Sequence, residues 1–290
     1  MKQGNFDLTG IIDTAEAMEK SGLKWGVHKS EIITSEGINC PSYRAIVRED
    51  NSKVLSVMGD GYEPLQNTEV FAFAEQIIKT DNNFTYDHSI VVKEGAKYIV
   101  TLKYNGDTEI RKNDHVKSFL NLINGFDGGE RFCCCFSAFR PLCQNVLRRL
   151  MGQAEIKIKH NFGIVERARL ALESINYIKA EREDFLLISK RLAGAVMDKQ
   201  KVDKFLNSLL NIDDIQEEST RTKNQKIEIE NLIYNGIGNN GSSAWDSYNG
   251  VTEYVDHHYS TDEKRDYTAN FGAGLKLKNK AFALAESFIS

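Results

Sequence analysis

No stretch of this chain approaches the ~18 consecutive apolar residues of a membrane-spanning helix, and no run of biased composition interrupts it. Its first residues, MKQGNFDLTGIIDTAEAMEK, carry acids and alternate polar with apolar side chains, so they lack the apolar centre of a secretory leader. The expectation is a soluble protein of the cytoplasm with no membrane partner. Internal repeats at the periods of roughly 20 to 50 residues that mark solenoids are also absent. Neither CxxC nor HExxH occurs, which removes the commonest thiolate and two-histidine zinc sites. Five cysteines are present, and Cys133, Cys134 and Cys135 are consecutive. Neighbours on a strand point to opposite faces and cannot bridge each other without distortion, so these thiols, with Cys143, read as reduced packing groups. The glycine motifs GIGNNG and FGAG lack a phosphate loop's lysine and its strand-to-helix setting, and read as turns.

What is present is an ordinary globular mixture of 290 residues, 41% apolar and 27% charged, enough to bury a large core. Residues 1–40 read as an N-terminal arm with a short helix over 13–20. Alternating segments around a turn at 49–52 predict a β-hairpin. Asn67 stands where an N-cap belongs, and Val70, Phe71, Ala74, Ile77 and Ile78 recur at helical spacing over 68–79. The stretch 85–138 reads as a sheet. In its strand KYIVTLKY, Tyr98, Val100, Leu102 and Tyr104 share a buried face, while Lys97, Thr101 and Lys103 share a basic one, and Asn105-Gly106 marks a turn. FRPLCQNVLRRLM reads as an amphipathic helix with Leu142, Cys143, Val146, Leu147, Leu150 and Met151 on one arc and Arg140, Gln144, Asn145, Arg148 and Arg149 on the other. Helices dominate from 163 onward, with Ser243 as a cap over AWDSYNGVTEYVDHHY, where Gly250 weakens the middle. The expected fold class is α+β: an antiparallel sheet with packed helices in the N-terminal half and a mostly helical C-terminal half. The expected divisions are a 1–40 arm, a 41–160 sheet-and-helix core and a 161–290 helical region.

The formal net charge is -4, but it is unevenly spread. Between Arg131 and Arg169, eight basic residues face two acids, Glu155 and Glu166. Single-stranded nucleic acid is held by positive grooves that track phosphates, with aromatic rings for stacking. The nucleic-acid candidates are Lys97, Lys103, Arg111, Lys112, Arg140, Asn145, Arg148, Arg149, Lys157 and Lys159, with Tyr86, Tyr98, Tyr104 and Phe139 nearby in sequence; solvated surface charge is the plainer alternative. In EYVDHH, Glu253 and His257 are four residues apart on one helix face, so with His258 they could ligate a divalent metal, helped by His160 or Asp127. A hydrogen-bonded structural cluster is the competing reading there, and no cofactor is otherwise expected. Cys143 beside Gln144 and Asn145 has the look of a nucleophile with an amide donor, yet it falls on the apolar arc and has no adjacent histidine. No catalytic residue is assigned.

Four segments carry a family resemblance: GDGYEPLQNTEVFAF, NGFDGGE, FRPLCQNVL, and AWDSYNGVTEYVDHHYS with FGAGLKLKNKAFALAE. From about residue 40 to its end the chain resembles the phage and plasmid proteins that carry the domain of unknown function 932. The resemblance implies cargo of a mobile element and transfers no catalytic residue. Val146 and Leu147 follow Asn145 where the family pattern has a threonine. The order helix, hairpin, strands and basic helix is also similar to the core of the single-strand annealing proteins, which form rings on DNA. Together these imply a non-enzymatic, homo-oligomeric protein that binds or anneals single-stranded DNA. The alternative is a metal- or nucleotide-binding enzyme, or an anti-defence protein, built on the 253–258 helix.

Overall fold

The computed structural model describes residues 4–128, 132–141, 145–149, 156–157, 164–212, 219–241, 243–259, 268–269 and 272–289, with the backbone alone at 145–149, 156–157 and 164–168. In chain order they form β1 (Gly4–Asp7), α1 (Thr14–Lys20), β2 (Val27–Ile33), β3 (Asn39–Arg48), β4 (Val54–Gly59), α2 (Asn67–Thr80), β5 (Phe84–Val92), β6 (Lys97–Arg111), β7 (Asp114–Gly125) and β8 (Cys133–Arg140). Then come β9 (Asn145–Arg149), β10 (Ile156–Lys157), α3 (Ile164–Gly194), α4 (Lys199–Leu210), α5 (Thr220–Asn235), α6 (Ala244–Glu253), a π-helical turn Tyr254–His258, and α7 (Ala273–Glu286). The class is α+β, with the sheets in the N-terminal half and helices in the C-terminal half. Among the described residues one sheet has the order β1-β5-β6-β7-β8-β10, with β9 also on β8, and the other is β2-β3-β4. No helix among them is long and apolar enough to cross a membrane.

The chain divides into two compact units, one of residues 1–105, 119–135 and 151–178, the other of 106–118, 136–150 and 179–290. Neither is continuous in sequence, because β6, β7, β8 and α3 each contribute to both. The composition reading instead drew boundaries near 40 and 160. Residues 4–7, read as part of an arm, pair antiparallel with β5 from Gly4↔Val91 to Asp7↔His88.

In the first unit α2 begins with a capping box: Glu69 accepts from the Gln66 amide at 2.8 Å. The N-cap is therefore Gln66, one residue before the expected Asn67. Both side chains also reach the 23–27 segment. The Gln66 amide pairs with the backbone of Val27 in both directions, at 3.0 and 2.9 Å, and Asn67 donates to the carbonyls of Leu23 and Trp25 at 3.0 Å. Val70, Phe71, Phe73, Ala74 and Ile77 are buried on α2, with Phe71 against Tyr86 and Phe73 edge-on to Phe132. Within the sheet a buried polar chain runs from Thr101 to Asn121 to the Cys135 carbonyl, and a second joins Tyr98 and the Leu65 carbonyl through Asn124. The Thr101 hydroxyl and the amides of Asn121 and Asn124 thereby find acceptors inside the sheet, as buried donors require. The cysteines pack as expected: Cys133, Cys134 and Cys135 are buried and free, and burial pushes the Cys134 thiol up to about 12 against a smaller opposing bond from Ser174.

Two local expectations are overturned. Residues 97–102 are all buried, so β6 has no basic solvent face, and it runs through Gly106 to Arg111 before turning at Lys112 and Asn113, whose φ is 64°. Asn-Gly is a strong local turn signal, but Ile110 is buried and Arg111 is ion-paired beyond it, and these tertiary contacts extend the strand. The helix expected over 139–151 is also absent. β8 continues to Arg140, and β9 returns along it with Ser137↔Arg149, Phe139↔Val146 and Arg140↔Asn145 in register. Short apolar runs carry no unambiguous period, and consecutive strand positions alternate faces, so the single basic arc drawn for a helix does not form at 145–149. Residues 142–144, 150 and 151 lie outside the described residues.

In the second unit every residue of α6 is buried. Phe185 lies 5.5 Å from Phe282, 5.6 Å from Phe136 and 6.3 Å from Trp245, and Tyr248 meets Phe282 at 5.1 Å. These rings are the core of the unit. A Cβ on Gly250 would stand 2.7 Å from both Cγ1 and the backbone nitrogen of Ile233, and one on Gly274 would stand 2.7 Å from Cγ1 of Val255. Gly250 is thus where α5 and α6 touch, and its helix-weakening effect is accepted for close packing.

Two measurements follow from this packing. Alanine at 250 gains about 1 kcal/mol of helix propensity but drives its methyl into backbone, and overpacking costs about 1 to 3 kcal/mol. Gly250→Ala is therefore expected to lower stability by up to about 2 kcal/mol; a thermal midpoint above wild type would contradict the close contact. Cys134 should resist iodoacetamide in the native protein and react once denatured, which peptide mass mapping reads directly. Native labelling at Cys134 would mean that the sheet core is open.

Candidate functional site

The densest arrangement of charge in the second unit is a buried network around Asp114. Arg140, fully buried at the end of β8, donates from Nε to Asp114 Oδ1 at 2.6 Å and from Nη2 to Oδ2 at 2.7 Å, a two-point clamp. Its remaining donors go to the carbonyls of Gly238 at 2.9 Å and Ile237 at 3.2 Å and to Asn239 Oδ1 at 3.2 Å. All the N–H groups of this guanidinium are used. Asp114 also accepts from the Trp245 indole at 3.0 Å and lies 3.3 Å from Arg111 Nε. Arg111 reaches on to Asp246 at 2.6 Å and to the Gly238 carbonyl at 2.7 Å. Asp246 completes the cap of α6, accepting from the Ser243 hydroxyl at 2.7 Å.

Each part has a local cause. Arg111 and Asp114 flank a two-residue turn, which brings the guanidinium and carboxylate together without any long-range help. Ser243 and Asp246 have capping-box spacing. The loop between α5 and α6, read from sequence only as a turn, presents its carbonyls to two arginines. Sequence reasoning missed Asp114, Asn239, Trp245 and Asp246 as a group; the local signals were the capping-box spacing and the three-residue spacing of Arg111 and Asp114. Chemically the network balances two carboxylates against two guanidinium ions and fixes the loop and α6 in place.

The other basic candidates are dispersed. In the first unit Lys97 is buried, 3.5 Å from Asp127, which Lys93 also approaches at 3.1 Å. Lys103 is half-buried on β6 opposite Thr85. In the second unit Lys112 is exposed in the turn after β6. Asn145, Arg148, Arg149 and Lys157 belong to strands by backbone, and Lys159, Cys143, Gln144 and His160 lie outside the described residues. So Lys97 and Arg140, expected on a phosphate-facing surface, are buried with acidic partners. The aromatic candidates are also committed. Tyr86 and Tyr98 are buried, burial raising the Tyr86 hydroxyl to about 12 and the Tyr98 hydroxyl further, and Tyr104 packs edge-on to Phe84 at 5.1 Å. A second buried guanidinium lies in the first unit, where Arg48 stacks 3.9 Å over Trp25 and clamps Asp50. That clamp holds the Asp50 carboxyl below the usual range.

The EYVDHH segment distributes its side chains in different directions. Glu253 is buried and accepts from the Ile237 amide at 3.2 Å, Asp256 pairs with buried Lys278 at 2.8 Å, and exposed His258 pairs with Glu228 at 3.0 Å. His257 is exposed. Glu253 is thus buried and His257 exposed, and the π-helical turn that begins directly after Glu253 departs from the regular helix on which their spacing was read. Among the described residues no three His, Cys, Asp or Glu side chains are grouped so as to hold a metal ion.

Of the segments singled out in the sequence, GDGYEPLQN meets NGFDG, with Tyr62 donating to the Gly125 carbonyl at 3.2 Å, and AWDSYNGVTE is the buried helix of the second unit. The element order that suggested the annealing proteins ended in a basic helix, and with β9 in that place the likeness finds no support. No curated protein and no solved structure matches the chain. A family model, that of the domain of unknown function DUF932, matches residues 54–273, and the chain belongs to that family.

Proposed function

We propose that this chain is a non-enzymatic, single-stranded-DNA-binding protein of a mobile element. The observation that carries the reading is how its charges are divided. Four carboxylates of the second unit are occupied internally: Asp114 and Asp246 by arginines, Asp256 by Lys278, and Glu253 by a backbone amide. Groups held in this way position structure; they are not poised to move protons. Among the basic candidates the same pairing takes Lys97, Arg111 and Arg140, while Lys112 is exposed in one unit and Lys103 is half-buried in the other. Phosphate binding of this kind is electrostatic and indifferent to sequence.

Fluorescence anisotropy with labelled oligonucleotides at several salt concentrations tests the reading. Binding is expected at low salt with little sequence preference, and it should persist in chelator because no step requires a cation. The logarithm of affinity should fall with that of salt at about -0.7 per phosphate contact, and Lys103→Ala with Lys112→Ala should flatten the slope by about one unit. Arg140→Ala should behave differently, since breaking a buried pair costs about 3 to 5 kcal/mol of stability, read as a lower denaturation midpoint. Absence of any binding at low salt by folded wild-type protein would end the DNA reading.

A further inference from the structure

Asparagine followed by glycine is the most easily deamidated step in a protein chain. The glycine nitrogen, with no Cβ beside it, can reach the Cγ of the preceding asparagine. A bond forms there, ammonia leaves carrying the glycine's amide proton, and water then opens the resulting five-membered ring. This chain has five such steps, at positions 105, 124, 235, 240 and 249. Ring closure needs the glycine nitrogen to swing towards the side chain, and the fixed dihedrals of helices and strands oppose that swing. Asn105 is in β6, where its amide donates to the Asn83 carbonyl at 2.8 Å. Asn124 is buried in β7, its side chain donating to Tyr98 at 3.1 Å and to the Leu65 carbonyl at 3.3 Å. Asn235 ends α5, and the Gly236 amide donates to the Leu232 carbonyl at 2.8 Å. Asn249 is buried in α6 with its side chain donating to the Trp245 carbonyl at 2.8 Å. Asn240 is exposed, and it is the one of the five asparagines outside any helix or strand. The glycine after it is imposed by packing: Gly241 has a φ of 71°, and a Cβ on it would stand 2.4 Å from Cδ1 of Tyr234.

We propose that Asn240 is a site of spontaneous deamidation in the native protein, and that the modification acts on the network around Asp114. The loop that carries Asn240 supplies part of that network. Arg140 donates to the Ile237 and Gly238 carbonyls and to the Asn239 side chain, Arg111 donates to the Gly238 carbonyl, and the Asn240 amide donates to Asp246 Oδ1 at 3.4 Å. Opening of the ring leaves one of two products. An aspartate adds a carboxylate on the residue whose amide approaches Asp246, and like charges at short range repel. An isoaspartate carries the chain through Cγ and lengthens it by one carbon, between the carbonyls that bind the arginines and the cap at Ser243. Each product works against contacts that were closed around the unmodified loop. The second unit therefore loses stability as the molecule ages.

Peptide mapping by mass spectrometry of the full chain, held for days at mildly alkaline pH, is the test. In the native protein deamidation at 240 should exceed that at the other four positions together, and in denaturant the five should become comparable. Aged wild type should melt at a lower temperature than fresh wild type. Asn240→Gln, whose longer side chain closes a ring far more slowly, should keep its fresh midpoint over the same period; Asn240→Ser serves equally if that variant does not fold. Native deamidation at 240 no greater than at the exposed Asn105 or Asn235 overturns the site, and a preference for 240 that persists in denaturant overturns its selection by the fold. An aged wild type that is modified yet keeps its midpoint, or a midpoint lost equally by the blocked variant, overturns the effect on the network. Since DNA is absent throughout, these outcomes are independent of nucleic-acid binding.

Discussion

The second unit depends on one carboxylate. Asp114 follows a two-residue turn, is 2% exposed, and is approached by two guanidinium groups and an indole. An ionised carboxylate cannot stay buried without such company, because the cost of removing it from water is several kcal/mol even after relaxation. Arg140 is under the same constraint, and each makes the other's burial tolerable. The donors left over on Arg140 then gather the carbonyls of the α5–α6 loop, and the indole that caps the arrangement belongs to α6. Strand ends, loop and buried helix are thereby held by one electrostatic account that closes locally. Pairs of this kind contribute more to specifying a single arrangement than to net stability, since apolar substitutes of equal volume are often as stable.

Small residues do the complementary work. Where α5 meets α6 and where α7 meets Val255, glycine permits an approach that a methyl group would block. Several residues of the segments singled out in the sequence thus serve internal geometry: Gln66 and Asn67 tie a strand start to a helix start, Trp245 donates to Asp114, Asp246 accepts from Arg111, and Gly250 admits Ile233. The DNA reading draws on residues outside the network around Asp114, an exposed lysine and a half-buried one.

From the sequence alone, the mixed fold class, the β3–β4 hairpin, α1, α2, α4, the cap of α6, the family and the packing role of Cys133, Cys134 and Cys135 were legible. The family rests on the resemblance of the four segments; the rest follow from local rules: the period of apolar residues, capping chemistry, and the geometry of neighbouring thiols. Only the tertiary structure decided that Lys97 and Arg140 are buried partners of acids, since a charged residue's partner can stand 26 positions away, as Asp114 does from Arg140, and pattern along the chain carries no record of it. It likewise decided that 145–149 is a strand, because a five-residue segment satisfies both helical and extended patterns and pairing with β8 chooses between them. Period and capping are properties of neighbours in sequence. Burial and ion pairing are properties of neighbours in space, and for this chain those determine which charges remain available to act.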